Sequence, residues 1–180
     1  METINFLLAL GSIGLQVLAA GFLAVYFLQR HFPDLAAIGA WLSRWGIRIG
    51  FVLALVGSAM TLIHQYYFGL PPCPLCWWQR IFLYPQVILF GLAVWRIDRS
   101  VTLYAIFLSA IGAIVALYHH LLQVFPSGGL PCPAEGEISC AQVLFLELGY
   151  ITYPMMAISL FAFLVVIMLF AHEDDTRRVP

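Results

Sequence analysis

The chain contains no lysine; its eight basic residues are all arginine, and charged residues make up only 9% of 180. So few polar groups cannot cover a water-soluble globule. No run or patch of basic residues is present, which excludes a nucleic-acid partner held by charge. There is no internal repeat, no low-complexity tract, and no flavin or nucleotide motif. The first thirty residues do not read as a secretory signal. They begin with Glu2 where a basic segment would stand, and the apolar run is too long, so this stretch is expected to remain as a membrane helix.

What the sequence does have is apolar: 63% hydrophobic residues and a mean hydropathy of +0.95. Apolar runs cover 5–28, 46–68, 77–95, 101–124 and 150–171. At about 1.5 Å per residue each reaches roughly 28 to 36 Å, enough for a hydrocarbon core of about 30 Å. The expected fold is an all-α integral membrane protein, a four-helix transmembrane bundle preceded by one extra N-terminal transmembrane helix. The expected divisions are 1–45 for the extra helix and its connection, 46–172 for the four-helix core, and 173–180 for a tail.

Arginine sets the orientation. Arg30, Arg44 and Arg48 flank the first connection, Arg96 and Arg99 the third, and Arg177 and Arg178 lie in the tail. Seven of the eight arginines thus fall on one side of a five-span chain, the side that the positive-inside rule makes cytoplasmic. The N-terminus and both cysteine-bearing loops then lie outside. Trp41, Trp45 and Trp95 mark the inner interface; Tyr66, Tyr67, Trp77 and Trp78 mark the outer one. Small residues recur on one face of the second run (Gly50, Ala54, Gly57, Ser58, Thr61) and of the fourth (Ser109, Gly112, Ala113, Ala116), where helices can approach closely. Within the large outer loop, 141–148 is too short to span and too apolar for water, and it is expected to lie at the interface as a short helix. The first helix is expected at the periphery.

The four cysteines form two pairs, Cys73 with Cys76 and Cys132 with Cys140. An even set of this kind fits two disulfides, a redox relay or one zinc site. Pro71, Pro72 and Pro74 oppose a continuous helix, while Pro74 suits the first position of a new one. Cys76 would then occupy the first turn, where the helix dipole favours the thiolate. Arg80, four residues later on the same face, is the one arginine outside the cytoplasmic set. It can stabilise that thiolate or hold the polar head of an electron acceptor; the plainer reading is an arginine snorkelling to a helix end. Cys132 and Cys140 lie in a polar loop, where a disulfide would be exposed to attack by another protein's thiolate. His64, His119 and His120 all fall near the outer ends of their helices, the depth at which a quinone head would sit. Gln79 and Gln86, seven apart, share a face as interhelical hydrogen-bonders.

The run Cys73-Pro74-Leu75-Cys76-Trp77-Trp78-Gln79-Arg80, the second loop pair, and Leu148-Gly149-Tyr150-Ile151-Thr152-Tyr153-Pro154 together resemble the DsbB/BdbC family of disulfide bond formation proteins. The resemblance covers 46–171. It departs from that pattern in the extra first helix and in the short gap between Cys132 and Cys140, which is closer to the Gram-positive members. The resemblance implies a membrane protein-dithiol:quinone oxidoreductase of the bacterial inner membrane. A thioredoxin-like extracytoplasmic disulfide oxidase would be the partner and ubiquinone or menaquinone from the membrane pool the acceptor. Cys73, Cys76, Cys132 and Cys140 would be catalytic, and Arg80, with His64, His119 and His120, would meet the quinone. No metal is expected. The rival reading is a non-catalytic membrane scaffold or transporter subunit with two structural disulfides.

Overall fold

The computed structural model describes residues 2–96, 100–125 and 139–178, with 174–178 given by backbone alone. Among the described residues five helices follow one another: α1 (Glu2–Leu28), α2 (Pro33–Tyr66), α3 (Pro74–Arg96), α4 (Val101–Val124) and α5 (Tyr153–Arg178). Among the described residues the only β-type pairing is an isolated bridge between Glu147 and Ile151. Four of the helices are long and apolar enough to cross a membrane. The other, α3, has 23 residues and is diluted by Gln79, Arg80 and Gln86. It turns Arg80 and Gln86 inward while Ile81, Ile88 and Leu92 face out, so it too is built as a span.

The breaks between helices have local causes. Phe32 is extended (φ -123) and Pro33 supplies a pre-set first helical residue. Nothing in 34–45 opposes a helix, so α2 starts at Pro33 and the expected 29–45 connection shrinks to a tight turn. At 34 residues, α2 is about 51 Å long and outreaches a hydrocarbon core of about 30 Å. Its surplus turns carry Trp41, Arg44, Trp45 and Arg48, with the Arg48 guanidinium 4.8 Å from the Trp45 ring centroid. At the other end Gly69 takes φ +66, which lets the Leu70 N–H reach His64 O at 3.1 Å. Pro71 and Pro72 then forbid continuation.

α2, α3, α4 and α5 close into a ring, and α1 lies outside it along α5 and α2. α5 is the centre of packing: Phe161, Leu164, Ile167, Met168 and Ala171 are almost wholly buried. The small-residue ridges serve as the sequence suggested. A Cβ on Gly50 would meet Phe90 at 3.2 Å, one on Gly57 would meet Leu160 at 2.8 Å, and one on Gly112 would meet the Phe161 ring at 2.6 Å. Gln86 accepts from Ser109 Oγ at 3.0 Å, and Gln79 reaches His119, so both glutamines bond α3 to α4.

Although α1 lies outside the ring, it is firmly bound to it. Phe22 packs on Phe163 at 6.1 Å and Tyr26 on Phe170 at 5.3 Å. Gln16 donates to Ser159 at 2.8 Å, and Asn5 is buried. Between α4 and α5 the expected interfacial helix at 141–148 does not form. The segment instead folds back, reversing at Leu148 (φ 51) and Gly149 (φ 81), with Phe145 stacked on Tyr153 at 4.9 Å. Burial of Phe145 against Ala9 and Ile151 replaces the interfacial contact that a flat helix would have made.

Close packing at Gly112 and open space at Gly21 predict opposite effects. In detergent, Gly112→Ile should lower stability by about 1–3 kcal/mol through overpacking. Gly21→Ala should raise it by up to about 1 kcal/mol through helix propensity. Thermal unfolding of the two variants checks both signs.

Candidate functional site

The site begins at the α3 N-terminus. Cys73 O accepts from Cys76 N at 3.0 Å and Trp77 N at 3.3 Å, so Cys73 caps the helix and Cys76 occupies its first turn. The sulfurs are 3.0 Å apart, beyond the ~2.05 Å of a covalent bond, and share a hydrogen bond. That bond first, and burial second, push the Cys73 thiol up to about 12. The shared proton therefore stays on Cys73, while Cys76 sits where the helix dipole is positive.

α4 supplies His119. Its Nε2 is 3.6 Å from Cys73 Sγ and its Nδ1 3.0 Å from Gln79 Nε2. With the amide nitrogen donating to Nδ1, the imidazole proton lies on Nε2 and points at the Cys73 sulfur. The donor atoms of Cys73, Cys76 and His119 lie within 4.8 Å of one another. Two thiols and an imidazole are also the ligand types of a three-ligand zinc site.

Cys140 is 1% exposed and packs in one cluster with Cys73, Leu75 and Leu122. The sequence suggested an exposed position. The difference arises because the fold-back of 139–152 carries it inward, and Gln123 Nε2 pins that segment by donating to Gln142 O at 3.2 Å. Cys132 lies outside the described residues.

Arg80 is buried, 7% exposed. Its guanidinium donates to Thr61 O at 3.0 Å and to Gln65 Oε1, and it lies 5.0 Å from the Trp77 ring centroid. Among the described residues no carboxylate pairs with it. With only neutral acceptors around it, this cation retains attraction for an electron-rich ligand. Such a ligand has room: Arg80 and Cys76 line a partly open cavity of about 420 Å³ between α1, α2, α3 and α5. This falls within the ~300–1,000 Å³ of small-molecule pockets, and most of its wall is aliphatic.

The histidines separate. His64 lines the large cavity, with Nδ1 2.8 Å from Met60 O and Nε2 3.1 Å from Asn5 Oδ1. His119 faces the cysteines and a space of only about 20 Å³. His120 Nδ1 meets Thr152 Oγ1 at 3.1 Å and lines neither space. Cys76, Arg80 and His64 are thus brought together on one side, and Cys73, His119 and Cys140 on the other. Asn5, Thr61, Gln65 and Tyr153 also belong to the site. In the sequence Thr61 stood out only as part of a small-residue ridge and Tyr153 only within the run 148–154; Asn5 was missed, although an amide at the start of an otherwise apolar run is a signal.

The chain is similar to several known proteins. The profile of the family described as disulfide bond formation protein DsbB matches residues 43–171. The "Probable disulfide formation protein C 2" of Bacillus cereus is 33% identical over 135 residues, covering 75% of this chain and 95% of the relative. The "SPbeta prophage-derived disulfide bond formation protein B" of Bacillus subtilis is 38% identical over 112 residues, 62% of this chain and 75% of the relative. The "Probable disulfide formation protein" of Chlamydia muridarum is 35% identical over 124 residues, 69% and 90%. No solved structure matches the chain with significance.

The packing of Cys140 on Cys73 predicts a bond between them when their other partners are removed. In a Cys76→Ser/Cys132→Ser variant, mild oxidation should join Cys73 to Cys140, detected by non-reducing peptide mapping. Recovery of both as thiols would contradict the arrangement.

Proposed function

The chain belongs to the DsbB family of disulfide bond formation proteins, and on that premise we propose that it oxidises an extracytoplasmic thioredoxin-like dithiol protein and passes the electrons to a membrane quinone. The family membership makes it a multi-pass membrane oxidoreductase of disulfide formation. The acceptor, the partner, the bacterial inner membrane and the outward-facing cysteine loops are the proposal. One observation carries it: Cys76 and Arg80, which has no carboxylate partner among the described residues, share the wall of a largely aliphatic cavity.

The relay runs in four thiol–disulfide exchanges and one transfer to the acceptor. A partner thiolate attacks Cys132 of a Cys132–Cys140 disulfide, forming a mixed disulfide and releasing Cys140 as thiolate. Cys140 attacks Cys73 of the Cys73–Cys76 disulfide, for which its burial beside Cys73 supports the short path, and Cys76 leaves as thiolate. The second partner thiol resolves the mixed disulfide, freeing Cys132, which returns to Cys140 and leaves Cys73 and Cys76 reduced. A quinone bound in the cavity would accept two electrons and two protons and depart as quinol, while Cys73 and Cys76 return to a disulfide. In this last step Cys76 would face the acceptor, the His119 Nε2–H would donate to the Cys73 sulfur as that thiol gives its proton to the departing quinol, and Arg80 would offer its remaining N–H groups to a ring oxygen. A strong acceptor is needed on thermodynamic grounds, because a partner oxidant with a potential near about -120 mV can be regenerated only by something more oxidising.

The test is the absorbance of quinone mixed with the purified protein and reduced partner. Cys76→Ser should abolish quinone reduction. Arg80→Met should raise the quinone KM about tenfold or more, equivalent to about 1.4 kcal/mol. Cys140→Ser should accumulate partner bonded to Cys132. Partner oxidation that proceeds equally without quinone or without Cys76 would overturn the reading, and stoichiometric tightly bound zinc would replace it with a metal site at Cys73, Cys76 and His119.

A further inference from the structure

The cavity has a wall that the family's shared region does not supply. The matched region begins at residue 43, so all of α1 lies outside it, yet Leu7, Leu8, Gly11, Ser12 and Leu15 line the space beside Arg80 and Cys76. Their spacing places them on one helical face. Without α1 the site would be a groove between α2, α3 and α5, open to lipid.

α1 is fixed there by polar contacts that are hard to replace in a bilayer. Asn5 meets His64 Nε2 at 3.1 Å and bonds the Tyr153 side chain. Gln16 bonds Ser159 at 2.8 Å and accepts from Tyr150 Oη at 3.0 Å. These contacts also set the register. Asn5 is level with His64, and Arg80 bonds Thr61 O, three residues or about 4.5 Å further in. Gly11, six residues beyond Asn5, lies about 9 Å further in than Asn5 and so roughly one turn deeper than the Arg80 contact. A Cβ built on Gly11 meets nothing within 4 Å, so this face of α1 is left open where the cavity continues toward Leu15.

We infer that α1 is the specificity wall of the acceptor site: with the quinone ring at Arg80 and Cys76, its isoprenoid tail runs inward along α1, past Gly11 toward Leu15. This rests on the quinone reading above, which already brings a tailed quinone, and adds to it the helix that contacts the tail. The occupant has to be long, apolar and flexible beyond its ring, because the space below Arg80 is lined on the α1 side by Leu7, Leu8 and Leu15 and the Ser12 hydroxyl is already spent on Leu8 O at 2.9 Å.

Gly11→Leu and Gly14→Leu make the same chemical change on adjacent faces of α1. Both positions have open space for a Cβ, but only Gly11 lines the cavity. Each substitution removes a helix glycine, which should raise helix stability by up to about 1 kcal/mol, so thermal unfolding without quinone reports an intact fold. Binding is read directly, by quenching of tryptophan fluorescence in the full-length protein. The probes are a quinone with an isoprenoid tail and the same ring with a methyl in its place. Gly11→Leu should weaken binding of the tailed quinone about tenfold or more and of the tailless ring by less than about threefold. Gly14→Leu should leave both at the wild-type value. If wild type binds both probes and Gly11→Leu weakens both equally or neither, the wall proposal is wrong and the acceptor reading stands. If neither probe binds wild type, the acceptor reading fails and takes this one with it.

Discussion

A guanidinium buried at membrane depth is the constraint around which this structure is organised. The Arg80 guanidinium has no carboxylate partner among the described residues, so its field is met by neutral oxygen and by an aromatic face. Thr61 O, Gln65 and Trp77 provide these. For Thr61 O to be available to it, α2 must pass close to α3, and the small residues of α2 allow this. For Arg80 to sit one turn below Cys76, α3 must begin at Pro74, which the run of prolines ensures. The same arginine therefore fixes a helix start, a helix–helix approach and the polar end of a cavity.

Much of this was legible in the sequence, because length, arginine placement and proline position each act locally. The spans, the first-turn location of Cys76, the small-residue ridges and the inward reach of Gln79 and Gln86 all follow from rules about one helix at a time. What could not be read is the facing between helices. His119 and His120 have nearly the same depth, but consecutive helical residues differ by about 100° in direction. One consequently points at Cys73 and the other at Thr152. Depth is encoded in sequence position, whereas azimuth relative to a neighbour is settled only by packing.

The same limit explains α1 and the loop. An apolar helix with few polar residues looks detachable, since its helical periodicity has no contrast against lipid. Asn5 and Gln16 are what commit it to a partner, and their partners, His64 and Ser159, lie far along the chain. Cys140 likewise looked exposed from its polar loop neighbours. The aromatic pair Phe145–Tyr153, which draws the segment inward, forms only after the chain has turned through the positive-φ residues Leu148 and Gly149.

Cys73 and Cys76 share the cluster that holds Cys140 and the small space beside His119, but of the two only Cys76 also lines the large cavity. In the proposed relay this makes the pair an insulated junction. Among the described residues no other thiol borders the cavity, so a dithiol arriving from the aqueous side has no line of contact with a lipid-borne oxidant and must hand its electrons over one sulfur at a time. Selectivity for the correct partner can then reside entirely in the outer loop, because the inner compartment never presents itself to an incorrect one.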